Sequence, residues 1–223
     1  MAERQAERLI GPLEKTAPLR QQVYETLEEL IIYGVLEPGQ HLVEAELAKS
    51  LGVSRIPVRE ALQLLHSHRW VELRPRQGAF VHRPTLEEVD EVFVVRTLLE
   101  VESARIAAKN ATSESVRALR KTVRAGVKAL RGSDEKELVR LNSAFHAQVT
   151  ALANNQVLSE MIGRLDKRIR WYFAPVARSR GEASWREHEE LVDALESGDS
   201  RAAARTMRKH AELTRSAFHL WRE

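Results

Sequence analysis

Two sets of side chains in this sequence have the types and spacing to do chemistry. The first lies in residues 53–62, Val-Ser-Arg-Ile-Pro-Val-Arg-Glu-Ala-Leu, where Arg55 and Arg59 stand four apart and so share one face of a helix. Ser54 is a natural N-cap for that helix, and Pro57 falls in its first turn, where proline is tolerated. Two guanidiniums on an opening turn are suited to negative charge. They can bond bidentately to guanine O6 and N7, which reads sequence, or neutralise phosphate, which adds affinity and salt dependence without preference. The local alternative is that Arg59 pairs with Glu60 or Glu44 on a solvated face.

The second set is three histidines. Leu138, Leu141, Phe145, Val149 and Leu152 mark one buried face of a helix, with Asn142 and His146 on that face or at its edge. His188 runs with Leu191, Val192 and Leu195, and His210 with Met207, Ala211 and Thr214. Three helices thus each bring one imidazole toward a common interior. Imidazoles on facing helices of a bundle assemble sites for zinc, nickel or similar divalent ions. The alternative is three partly buried histidines bonded to neighbouring side chains. Three histidines could also activate water for hydrolysis. Against that, no carboxylate is evidently placed beside His146, and Glu187 is expected on a different helix face from His188. A metal that is itself the signal is a further possibility.

The elements that must position these groups follow from periodicity. Leu19, Val23, Leu27, Leu30 and Ile31 recur at helical spacing until Gly34, a second helix is expected over about 43–51, and a third from Arg55 to about His68. Val71 and Leu73, then Ala79 to Val81, are β-prone runs joined by Pro75-Arg76-Gln77-Gly78, a hairpin. Three helices and a hairpin make a winged helix-turn-helix. Beyond Pro84-Thr85 no further strand is expected. Thr85 and Glu88 form a capping-box pattern, and helices are expected over 86–109, 113–131, 135–153, 157–173, 184–197 and 200–220, with a break through 175–181. The fold class is therefore mainly α: an N-terminal winged helix-turn-helix and a C-terminal antiparallel bundle of six to seven helices. The domains are expected at 17–83 and 84–223, after a flexible tail at 1–16.

Composition agrees. The chain has 223 residues, 5% aromatics, ten glycines and seven prolines, which favours helix, and it has no cysteine, which excludes disulfides and thiolate metal sites. Neither a signal-type stretch nor a bilayer-length apolar run is visible, so a cytoplasmic protein without membrane partners is expected. The net charge of +3 decides little, but residues 54–83 hold six arginines against Glu60 and Glu72. Positive charge on one short segment suits phosphate.

With these residues in view, the chain resembles the GntR family of bacterial transcription regulators, FadR/FCD subgroup. Gly34, Pro38-Gly39, Leu42, Glu44, Leu47-Ala48, the 53–62 segment and Gly78 with Val81 carry the N-terminal resemblance. Val95-Arg96, Leu99-Glu100, Asn142, Phe145-His146, Asn154-Asn155, Glu187-His188, Gly198-Asp199, Met207 and His210 carry the C-terminal one. The resemblance implies a homodimer on palindromic double-stranded operator DNA, most often a repressor, controlled by a small carboxylate effector in the helical domain. It implies DNA contacts at Ser54, Arg55 and Arg59, with Gln77 and Gly78 at the wing tip. Ala45 stands where some relatives carry a DNA-reaching arginine. The resemblance further implies a divalent metal ion on His146, His188 and His210, with Asn142 at a position that is acidic in the family, and Arg96 as an effector contact. An amide oxygen can coordinate but carries no charge. The alternative for Arg96 is an ordinary surface pair with Glu100.

Overall fold

In the computed structural model, residues 18–132 and 134–222 are described, so the expected tail at 1–16 lies outside them. Among the described residues two compact units emerge, one comprising 18–30 with 39–82 and the other 31–38 with 83–222.

Helix α1 (Leu19–Ile32), whose residues up to Leu30 belong to the first unit, buries Val23 and Leu27 at the expected spacing. Helix α2 (Glu44–Leu51) packs on α3 (Arg55–Ser67) and ends at Gly52, whose left-handed backbone turns the chain and returns its N–H to Ala48 and Lys49 carbonyls. Ser54 stands at the N-cap of α3 as expected, but its side chain makes no capping hydrogen bond. Val58, Ala61, Leu62 and Leu65 form the buried stripe of α3, which leaves Arg55 and Arg59 outward.

The sheet has three strands rather than two, β1 (His41–Leu42), β2 (Val71–Arg74) and β3 (Gly78–Val81), in antiparallel order β1-β3-β2. The expected hairpin forms, but Gly78, expected in the turn, pairs with Arg74 and opens β3. β1 was not expected. Two residues carry no periodic signal, and this strand exists only through its pairing with Phe80 and Ala79. Gly78 has φ +97°, and a Cβ there would stand 2.9 Å from His41 Nε2, so no other residue fits this wing position without strain.

The second unit is a helical bundle. Its members are α4 (Leu86–Asn110), α5 (Ser113–Arg131), α6 (Glu135–Leu152), α7 (Gln156–Phe173), a 3₁₀ turn (Ala174–Val176), α8 (Ala177–Glu196) and α9 (Ser200–Arg222). Side chains mark the starts. Thr85 and Glu88 close a capping box, as do Thr112 and Ser115, while Asp134 and Asn155 cap α6 and α7. One boundary differs from expectation. The expected break through 175–181 is mostly helical, and α8 starts at Ala177 rather than 184. The interruption narrows to Gly181 (φ 35°, ψ −127°), with helical hydrogen bonding on both sides. Helix α4 packs against α6, α7 and α9, and α8 against α5 and α9. Gly126 of α5 lets Trp185 of α8 approach closely, since a Cβ would fall 2.1 Å from the indole ring. No helix among the described residues is long and apolar enough to cross a membrane.

Candidate metal centre and nucleic-acid interface

On α3 the two arginines share one carboxylate. Arg59 donates from Nε to Glu44 Oε1 at 3.0 Å and from Nη2 to Oε2 at 2.8 Å, and Arg55 Nη2 reaches Oε2 at 3.4 Å. The local alternative for Arg59 is thus realised, with Glu44 rather than Glu60. The hydrogen bonds from Arg59 hold the Glu44 carboxyl below its usual range. Both arginine side chains remain more than half exposed, so the pairing is an ordinary solvated one that orients the guanidiniums without burying them. Ser54, Gln77 and Gly78 are exposed as well. Ile56 was overlooked. It is 69% exposed between the arginines, an apolar group of the kind that meets a thymine methyl. The signal was its place off the Val58–Leu65 stripe. His66 and His68 are engaged locally, at 3.0 Å from the Val71 carbonyl and the Tyr24 hydroxyl respectively.

In the bundle, His146 from α6, His188 from α8 and His210 from α9 are all buried, and one ring nitrogen of each lies within 4.8 Å of the others. Hydrophobic packing sets their rings. His188 stacks on Phe145 with centroids 4.1 Å apart and meets the edge of Trp185. Around them stand carboxylates that the sequence reading placed elsewhere. Glu187 is buried rather than on a separate face, and its Oε2 lies 2.7 Å from His210 Nδ1 and also accepts from Arg180. The clue was spacing, because Glu187 falls on the same buried stripe as Ser184, Leu191 and Ala194. Glu100 likewise stands beside His146, with Oε1 3.2 Å from Nδ1.

Arg96 is fully buried, so the alternative of an ordinary surface pair with Glu100 fails on burial, although the pair itself forms. Its Nε donates to Glu100 Oε2 at 3.0 Å within the core, and its Nη2 lies 3.3 Å from His146 Nε2. Because arginine only donates, the Nε2 of His146 must present its lone pair, and the proton of that ring sits at Nδ1 toward Glu100. His210 is arranged the same way by Glu187 at Nδ1, which leaves Nε2 with its lone pair. Burial, then the neighbouring histidines and Arg96, push His188 and His210 well below the ordinary imidazole range, so both are neutral. Burial pushes the Glu100 carboxyl upward, but Arg96 and His146 outweigh it and leave the group well below its usual range.

Buried polar atoms are nearly always bonded. Here Asn142 Oδ1, His146 Nδ1, both nitrogens of His188, His210 Nε2 and Arg96 Nη1 have no hydrogen-bond partner among the described residues. Imidazoles that offer lone pairs to one another's space, with Glu187 at the opposite nitrogen of His210 and Glu100 at that of His146, fit a divalent ion of the zinc or nickel type. Asn142 lies one turn before His146 and lines a cavity of about 350 Å³ together with Arg96, Glu100, His146, Asp166 and Arg170. That volume suits a small organic acid. Trp171 and Tyr172 are buried and line a different cavity.

Residues 19–81 match the model of the bacterial regulatory proteins of the gntR family, and residues 91–213 match the FCD domain. The chain belongs to the GntR family, with an FCD domain. This GntR-family chain is 29% identical over 203 residues to the uncharacterized HTH-type transcriptional regulator YdhC of Bacillus subtilis, covering 89% of this chain and 90% of that one. It is also 29% identical over 203 residues to the HTH-type transcriptional repressor RspR of Escherichia coli, covering 90% and 89% respectively. In fold it is similar to the solved structure of E. coli McbR/YncC, with a TM-score of 0.77 at 23% identity over 93% of this chain and 100% of that one. The GntR and FCD domains and these relatives are those of DNA-binding transcription regulators, not of enzymes.

Proposed function

We propose that this regulator binds a palindromic operator as a homodimer and that a small carboxylate, together with a divalent ion, controls it. Residues 17–83 would read DNA in the bacterial cytoplasm, and residues 84–223 would hold the effector and pair the protomers. Arg55 and Arg59 enter the major groove from the start of α3, with Ser54 on the backbone and Gln77 and Gly78 at the wing. Repression is the mode suggested by the repressors among its relatives.

One observation supports the control site above others. Arg96 Nη1 and Asn142 Oδ1 at the cavity, and nitrogens of His188 and His210 in the histidine cluster, are buried without a partner among the described residues, and an acid and an ion there could satisfy most of them. His146, His188 and His210, with Asn142, would hold the ion, and Arg96 would bond the acid. The ion supplies a template and a positive charge for a carboxylate. A ligand that favours one spacing of the two α3 helices shifts the population that matches successive major grooves.

The test is fluorescence anisotropy with DNA from upstream of the gene against scrambled DNA, with and without chelator. Specific binding that responds to chelator is expected. Equal, weak, salt-sensitive binding to both DNAs under all conditions, including added organic acids, would refute specific operator recognition there.

A further inference from the structure

Arg96 holds the very lone pair that a cation at the three histidines would need. Its Nη2 sits 3.3 Å from His146 Nε2, while Nη1 is buried without a partner beside the cavity. Charge reinforces the conflict. Arg96 balances Glu100, Arg180 balances Glu187, and Asn142 contributes no charge where an acid would contribute one. A dication would therefore add two uncompensated positive charges to a buried cluster, which is unfavourable, and would do so next to a guanidinium.

A carboxylate in the cavity resolves both difficulties at once. The fork of Nη1 and Nη2 matches its two oxygens, so docking the anion draws Nη2 off His146 while Nε keeps its bond to Glu100. The anion also supplies the negative charge that residue 142 lacks. We infer that Arg96 is a coupling residue: it competes with the cation for His146 and yields to a carboxylate, so that cation and acid bind cooperatively. This rests on the proposed metal and effector site, and it says how the two ligands depend on one another. By linkage the effect is reciprocal, each ligand raising affinity for the other by the same factor.

The experiment is isothermal titration of the chelator-treated full chain with zinc, with and without saturating acetate as the carboxylate probe. Zinc should bind wild type at least about tenfold more tightly with acetate present, a coupling of ordinary size. Arg96→Gln should bind zinc more tightly than wild type without acetate and lose the acetate enhancement. Arg96→Lys, which keeps the charge beside Glu100, serves if the Gln variant does not fold; it should bind zinc weakly and show a reduced acetate effect. Zinc binding that is lost in His188→Ala but ignores acetate in wild type would overturn the coupling alone. Enhancement that persists fully in the Arg96 variants would overturn the role of Arg96. No zinc binding by wild type in either condition, or binding unchanged in His188→Ala, would overturn the metal site itself and the coupling with it.

Discussion

Glu187 Oε2 lies 2.7 Å from Nδ1 of His210, and this contact decides which nitrogen of the ring faces the cluster. The carboxylate accepts the Nδ1 proton, so Nε2 turns inward with its lone pair. Glu187→Gln should weaken zinc binding by about tenfold to a hundredfold, measured by competition with a chromogenic chelator. It also leaves Arg180 buried without its counter-charge, so urea unfolding should show a loss of about 3 kcal/mol. Wild-type zinc affinity in the variant would show that Glu187 does not orient His210.

Position 142 separates charge from geometry. Asn142 is buried one turn before His146, with its oxygen unpartnered. Asn142→Asp should tighten zinc binding by about tenfold, because a carboxylate compensates the cation where an amide cannot. The same titration in both proteins checks this, and equal affinities would mean that position 142 is not a ligand.

At the DNA surface, Arg59→Ala should lower operator affinity by about tenfold to a hundredfold and flatten the preference over scrambled DNA. The melting temperature should hardly move, because the pair with Glu44 is solvated. Unchanged anisotropy titrations would remove Arg59 from the reading surface.

Acid should destabilise the metal-free fold earlier than in a chain whose histidines are exposed. His188 and His210 are held well below 6.5 in the folded state, chiefly by burial. The unfolded chain therefore takes up protons first as the pH drops, and stability present above about 6.5 is lost below it. The slope is at most about 1.4 kcal/mol per pH unit for each ring. Glu100 adds to the loss only below the usual carboxylate range near 4.5. Urea unfolding in chelator between about pH 7.5 and 5.5 measures the histidine part. His188→Leu should lessen the slope by one ring, and an unchanged slope would mean that His188 is not held neutral.

Much of this was legible from residues near one another in the chain. The α3 stripe, the Thr85–Glu88 capping box and the buried positions of His146, His188 and His210 follow from spacings of three and four, which local helix geometry enforces. Glu187 was legible in principle but was read by its neighbour rather than by its stripe.

By itself, then, the sequence determined most of the helical segments, which face of each is apolar and that each of three imidazoles lies on such a face, because those properties depend on side chains within one or two turns. Tertiary structure alone decided what those imidazoles meet. The approach of Arg96 to His146 joins residues fifty apart, that of Glu187 to His210 joins residues twenty-three apart, and β1 exists only where it meets β3. No local pattern encodes such pairs. They arise where packed helices and paired strands leave a donor no acceptor but one from elsewhere in the chain, since a buried polar group left alone costs more than one that is bonded.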